Sequence, residues 1–493
     1  MDWREEYKRK LRTPEEAAKL VKSGDAIAIG GSTDQPKIMQ QAIFARRDEL
    51  RGVKVFYACP VTDPGWLQPG AEESFQVTLT GYIGPIARPA VTERRVDFIP
   101  NSWATTMKAY DRPGEEREFD VYIVTVSPPN KHGFCCFGPM LWFKRTWMRR
   151  AKKIIAEVDE NMRWVYGDTT VHVSEIDHFV EYTPHVMSDE EIAEAVKDME
   201  PEKQEKIKLY ASLLLSHLRA TVLGVFSLMD VAGIDSIAET LGLVLPKATE
   251  KEIKGITDHF SLLINSGDCF QIGQGSPSAF LHRLGGFQGR EDLGYHAEMT
   301  ARGVATMIKE GQITGRRKSF MPGKSIFSSA EGMSPEELEY AAENPKFEFY
   351  ETSWVTRPDI VCQNDNMVSI QNGISVDLTG QINSETIFGG LPLNGPGGQP
   401  ESHLGALFSK GGKAITVMRS TAVGGTVSCI VPQFEPGTVV TVPRHHADYI
   451  VTEFGIAKLM GKSFRERAGE LISVAHPNFR AELKKEAQKL FWP

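Results

Sequence analysis

Among the groups in this chain that could act as nucleophiles, Glu298 has the most suggestive surroundings. It lies in DLGYHAEM (Asp292–Met299), among small, apolar and aromatic neighbours, 23 residues (298 − 275) after Gly275 of a glycine-rich turn. A lone carboxylate in such a setting is either a surface group on a loop or a nucleophile. By position alone, however, Glu298 is one of 64 acidic residues. Its reading depends on what the rest of the chain places around it.

Three glycine-rich loops are candidates for that setting: Gly30-Gly31-Ser32, Gly273-Gln274-Gly275-Ser276, and GGLPLNGPGGQP from Gly389 to Pro400. A strand that runs into a glycine loop and then a helix can present backbone N–H groups to a phosphate or an oxyanion. Sharp strand-to-helix turns need the same residues with no ligand at all, and the spacing alone leaves both readings open. None of the loops matches G-x-G-x-x-G, so a dinucleotide fingerprint is not indicated. GIAKLMGKS (Gly455–Ser463) has five residues between its glycines where a P-loop has four. His445-His446 and the His172/His178 pair lack metal-ligand spacing, and no metal is expected. No serine sits in a G-x-S-x-G elbow.

The elements that would position these loops repeat. LVKSGDAIAIGGSTDQP (20–36) and LINSGDCFQIGQGSP (263–277) share an apolar pair, Ser-Gly-Asp, a short β-rich run, Ile-Gly, and a loop that ends in proline. Ser23 and Ser266 are 243 residues apart (266 − 23 = 243), and Ile29-Gly30 and Ile272-Gly273 keep that offset. YIVT at Tyr122–Thr125 and Tyr449–Thr452 offers a second echo at a larger offset. The pair of echoes predicts two related domains in tandem. Thr13 with Glu16 reads as a capping box that opens a helix ending at Gly24, and PKIMQQAIFARRDEL reads as the next amphipathic helix. VKVFYA, DVYIVTVS, KKIIAEV, KAITVM and DYIVTEF read as strands, so mostly parallel sheets of the α/β class are expected. Residues 188–250 read as helices, either a lid, an oligomer contact or a spacer. The expected domains are 1–187, a helical insertion 188–250, and 251–493.

Length and composition fit this outline. A chain of 493 residues exceeds one hydrophobic core. With 41% hydrophobic and 24% charged residues it reads as soluble and globular. A net charge of −8 gives no basic footprint for nucleic acid, which leaves local anion sites. Six scattered cysteines, none in C-x-x-C, suit reduced thiols in a cytoplasmic protein. MDWREEYKRKLRTPEE lacks an apolar signal core, and the most apolar window, Ala211–Met229, carries His217 and Arg219 near its middle, against a membrane span.

Several longer strings are specific enough to place the chain. DLGYHAEMTARGV, QNDNMVSIQNGISVDLTGQINSETIFG, GPGGQ, DYIVTEFGIAKLMGKSFRERAGELISVAHPNFR and, in the first half, VSPPNKHGFCCFG and AKKIIAEVDENMRWVYGDTTVHVSEIDHFVE together resemble the acetyl-CoA hydrolase/transferase family of class I CoA-transferases, nearest its 4-hydroxybutyrate and butyrate branch. The resemblance covers most of the chain apart from about 188–250. It implies two similar α/β domains, a CoA-transferase (alternatively an acetyl-CoA hydrolase, or more remotely a non-catalytic CoA-binding protein), and a homodimer. It implies CoA as a substrate, with no permanently bound cofactor, and a small carboxylic acid as the other partner. The family's nucleophilic glutamate falls on Glu298. Its first glycine loop falls on Gly273, Gln274, Gly275 and Ser276, and its G-x-G-G-Q loop on Gly395, Gly397 and Gly398, both contacting the CoA thioester. Lys410, with Lys413 and Lys324, is a candidate partner for CoA's charged groups. The chain departs from the family pattern at Gln274, at Ala297 in place of threonine, at Thr300-Ala301-Arg302 in place of Phe-Ser-Asp, and at Pro-Glu-Ser-His after Gln399. These changes bear on which acid is used.

Overall fold

The computed structural model describes residues 2–84, 86–112, 114, 117–215, 219, 223, 226, 229–240, 242–245, 247–387 and 390–493. Most of the Ala211–Met229 window therefore lies outside the described residues, as does Gly389 at the start of the third glycine loop. The chain forms two compact units, each discontinuous in sequence: Met1–Ile234 with Phe327–Trp354, and Asp235–Ile326 with Val355–Pro493.

The first unit is built on seven strands: β1 (Ala26–Ile29), β2 (Val53–Ala58), β3 (Phe75–Thr80), β4 (Asp97–Ile99), β5 (Val121–Val126), β6 (Ile154–Val158) and β7 (His178–Glu181). Their order is β7-β6-β5-β1-β2-β3-β4, and every pair is parallel. A parallel sheet covered on both faces needs uninterrupted apolar strands. β5, VYIVTV, is buried at all six positions. Ile27, Ile29, Val53, Val55 and Tyr57 lie in one core cluster with Met39 and Ile43 of the helix that follows β1.

The second unit carries β8 (Cys269–Ile272), β9 (Gly294–Tyr295), β10 (Met367–Asn372), β11 (Lys413–Val417), β12 (Tyr449–Thr452) and β13 (Gly455–Lys458), in the order β9-β8-β10-β11-β12-β13. Only β13 is antiparallel, folded back on β12 as a hairpin. The P-loop look-alike GIAK is therefore a strand. The chain is an α/β protein of two similar tandem domains, as its repeat predicts.

The Ser-Gly-Asp echo is a true repeat in atomic detail. Ser23 Oγ accepts from the Arg51 N–H at 3.0 Å, as Ser266 Oγ accepts from the Glu291 N–H at 3.0 Å. The Gly24 and Gly267 N–H groups return to the same residues' carbonyls, both at 2.9 Å. Asp25 and Asp268 accept from the N–H groups of Lys22 and Asn265, both at 2.8 Å. The YIVT echo is coincidental. Tyr122 lies in β5, next to β1, whereas Tyr449 lies in β12, three strands from β8. The counterpart of β5 is β10: the Gly30 N–H bonds the Ile123 carbonyl and the Gly273 N–H bonds the Ile370 carbonyl, each at 2.8 Å. Buried parallel strands draw on the same few β-branched residues, so four-letter matches arise without common position.

Thr13 and Glu16 form the expected capping box, but the helix they open, α1 (Pro14–Ala18), stops short of Gly24. The Leu20 and Val21 N–H groups turn back to the carbonyls of Ala17 and Ala18. Arg46 takes the Ala18 and Val21 carbonyls, which satisfies them without a further turn. The helix after β1 is α2 (Lys37–Phe44). Most of the described residues in 188–250 are helical, in α3 (Asp189–Ala195), α4 (Pro201–Leu213), α5 (Val231–Thr240) and the start of α6 (Lys247–Ser261), joined by turns such as 196–200 and 242–245. No helix among the described residues is long and apolar enough to cross a membrane. All six cysteines are free thiols, five of them buried.

Candidate active site

In the second unit β8 and β9 are neighbouring parallel strands, paired at Cys269 with Gly294 and Phe270 with Tyr295. The His296 N–H continues the ladder to the Phe270 carbonyl at 3.2 Å. Glu298 stands three residues beyond Tyr295, and Gly273 three beyond Phe270, so both emerge at the same carboxyl edge of the sheet, on strands spaced ~5 Å apart. Glu298 is half-buried. The residue before the motif's Ala297, His296, is 1% exposed and bonds the Val355 carbonyl at 2.9 Å. Burial, with the Lys318 ammonium nearby, pushes its pKa down to about 3, so the imidazole is neutral and brings no charge to Glu298.

Strand order reverses between β8 and β10: the chain passes from β8 outward to β9, then returns to β10 and continues the other way. Ligands of open α/β sheets bind at such switch points. The residue that organises this one is Asn372, the last of β10. Its Nδ2 donates to the Gln274 carbonyl at 2.7 Å, and its Oδ1 accepts from the Ser278 N–H at 2.9 Å. Its own carbonyl accepts from Gln399 Nε2 at 3.1 Å. One asparagine thus ties the loop of Gly273, Gln274, Gly275 and Ser276 to the loop of Gly395, Gly397 and Gly398, which leads into α7 (Gln399–Phe408). The sequence left a trace of it, a polar Gln371-Asn372 pair closing the apolar run MVSI ahead of Gly373. Sequence reasoning passed over it because asparagine at a strand end is common.

Gly273 has no room for a side chain: a Cβ there would lie 2.1 Å from Gln371 Oε1. Gly273→Ala is expected to force Gln371 or the loop aside and cost about 1–3 kcal/mol, read as a lower denaturant midpoint.

Lys410 does not join this edge. It follows α7 at the opposite end of the sheet, where its carbonyl takes the Asn366 N–H at 2.7 Å just before β10 begins. The six residues from Asn366 to Asn372 span about 20 Å. A helix that starts at the glycine loop must end away from it, which the sequence distance from Gln399 to Lys410 conceals. Lys413 is at that far edge too, 3.7 Å from Asp268. Lys324, just before the Ile326 that bridges His296, is set back from Glu298 as well.

The equivalent switch point of the first unit, between β1 and β5, holds a cavity of about 40 Å³ lined by Thr33, Asp34, Gln35, Thr125 and Glu157, among others. Sequence reasoning did not anticipate its buried charges. Lys144 is 1% exposed and donates to Asp34 and to the Phe137 carbonyl, the latter at 2.6 Å. Glu157 accepts from the N–H groups of Lys37 and Met39 at 2.7 and 3.0 Å. Burial raises Glu157 to about 7, and burial with Asp34 nearby raises Glu331 to about 8. A carboxyl whose folded value lies above its unfolded one stabilises the fold while protonated and loses that contribution as pH rises through the folded value. The melting temperature is therefore expected to fall as pH rises from the ordinary carboxylate value of 4.5 to about 8, and to level off above it. Glu331→Gln, which keeps the shape and removes the proton, should flatten that fall; a melting series across pH checks it. Among the described residues no group of three or more His, Cys, Asp or Glu is placed to hold a metal ion.

Residues 1–198 match the acetyl-CoA hydrolase/transferase N-terminal domain and residues 334–487 its C-terminal domain. The chain is 31% identical over 496 residues to the 4-hydroxybutyrate coenzyme A transferase of Clostridium kluyveri, covering 100% of both. It is 31% identical to the succinyl-CoA:cyclohexane-1-carboxylate CoA transferase of Geobacter metallireducens, over 99% of this chain and 97% of that one. RipA from Yersinia pestis superposes with a TM-score of 0.79 at 28% identity, over 99% of each chain. With these matches along its whole length, a repeated α/β architecture, and two glycine loops joined at a switch point, the chain belongs to the acetyl-CoA hydrolase/transferase family.

Proposed function

We propose that this enzyme transfers CoA between an acyl-CoA and a free carboxylic acid, with Glu298 as the covalent carrier. The observation that carries the reading is the emergence of Glu298 and Gly273 at one sheet edge, beside the two glycine loops that Asn372 joins. The names of the whole-length relatives, both CoA transferases, support the substrate classes.

The chemistry follows from what a carboxylate can do. Glu298 attacks the acyl-CoA carbonyl and expels the CoA thiolate, leaving an acyl-glutamyl anhydride. The thiolate attacks the glutamyl carbonyl, releases the first carboxylate, and leaves a γ-glutamyl thioester. An incoming carboxylate attacks that thioester, and the freed thiolate then takes the new acyl group and restores Glu298. Bonds and charges balance with no water, metal or redox partner. Each attack builds an oxyanion, for which the amides of the Gly273–Ser276 and Gly395–Gly398 loops are the candidate donors; one such donor is worth ~3 kcal/mol in comparable sites. Neutral His296 brings no charge of its own to the carboxylate.

Trapping tests this directly. The protein is incubated with an acyl-CoA, quenched with hydroxylamine or borohydride, and mapped by mass spectrometry. Modification at Glu298 with acceptor-dependent exchange is the expected result. Modification with thiol release and no acceptor marks a hydrolase, in which water intercepts the intermediate. No modification defeats the reading. We carry the homodimer and the cytoplasmic setting with this proposal; sedimentation of the purified chain tests the first.

A further inference from the structure

A side-chain hydroxyl helps to fix the segment around Glu298. The Tyr295 ring is 0% exposed, its backbone is paired with Phe270, and its face meets the Phe270 ring edge-on at 5.1 Å between centroids. From there its Oη donates to the Met299 carbonyl at 2.7 Å, reaching four residues along the chain and across Glu298. Upstream, the Ala297 N–H bonds the Ile326 carbonyl at 3.0 Å. Glu298 is thus held between two bonded residues, one on each side, and the downstream bond depends on a side chain. The residue before Glu298 is Ala297, which has no hydroxyl of its own to anchor the segment.

We propose that Tyr295 is a positioning residue for this chain's reaction, clamping the Met299 carbonyl so that the Glu298 carboxylate meets the thioester in attacking geometry. This rests on the reading of Glu298 as the carrier. The hydroxyl bonds the backbone one residue beyond Glu298, so it is expected to act on the approach of the nucleophile rather than on substrate binding. Displacing a reacting group by about an ångström slows its reaction by as much as 10²-fold.

The test compares Tyr295→Phe with the wild type in single-turnover formation of the Glu298 adduct, beside steady-state kcat and KM. The expected result is adduct formation slowed ten- to a hundredfold, kcat falling with it, and KM for acyl-CoA within about twofold of wild type. Phe287→Leu is the packing control, since Phe287 packs on the Phe270 ring at 4.5 Å between centroids in the same aromatic cluster and has no polar atom to bond the Met299 carbonyl. It should lower the melting temperature and leave the adduct rate unchanged. Adduct formation in Tyr295→Phe within twofold of wild type overturns the inference, and so does equal slowing in Phe287→Leu. If the wild type itself forms no adduct at Glu298, the functional reading fails first and the inference with it.

Discussion

Glu298→Ala is expected to abolish CoA transfer while the protein folds normally. The residue is half-buried at a sheet edge, outside the aromatic cluster of Phe270, Phe287 and Tyr295, so truncating it leaves the surrounding packing in place. What is lost is the group that would hold CoA between two half-reactions. An uncatalysed carboxylate does not attack a thioester at a useful rate, and a fall of at least ~10⁴-fold in kcat, some 5.5 kcal/mol of transition-state stabilisation, is expected. Unchanged circular dichroism and melting with loss of the trapped adduct would complete the result; wild-type-like turnover would remove Glu298 from the reaction. Glu298→Asp should retain a trace of activity, since drawing the oxygen back by about an ångström costs on the order of 10²-fold.

The second large effect concerns stability and lies in the first unit. Lys144→Met keeps the side chain's volume and removes its charge, leaving Asp34 buried without the ammonium that faces it, at 1% and 7% side-chain exposure in the native pair. Breaking such a pair by one partner costs about 3–5 kcal/mol, because the remaining charge has neither water nor a counter-ion. Burial already pushes the Asp34 pKa up to about 6 against the pull of Lys144. Without Lys144 it rises further, so the penalty should shrink as pH is lowered and the carboxyl protonates. The double variant Asp34→Asn with Lys144→Met should recover most of the loss at neutral pH. Urea titration of the two variants measures both; a single variant as stable as wild type would mean that the pair contributes nothing net.

Much of this molecule is legible in one dimension because its signals are local or repeated. Mainly apolar runs of four to six residues marked β1, β2, β5, β6, β11 and β12, since a strand buried on both faces is mostly apolar. The Ser-Gly-Asp repeat marked the two domains, since one turn with one set of hydrogen bonds is built twice. DLGYHAEM and the glycine loops marked the candidate nucleophile and its neighbours by resemblance. Where reasoning from sequence failed, separation in the chain and separation in space diverged. YIVT paired strands that occupy different places in their sheets, and α1 ended where Arg46 reached its carbonyls.

Sequence alone determined the class, the tandem repeat, and the side chain proposed to react, because each is written in neighbouring residues. Tertiary structure alone decided that Asn372 joins loops 119 residues apart (395 − 276) and that Asp34 and Lys144 are buried together. Those pairings depend on which strands lie side by side and which edge each loop leaves from. Strand order is set by burying the sheets' apolar faces as a whole, and no short stretch of sequence records it.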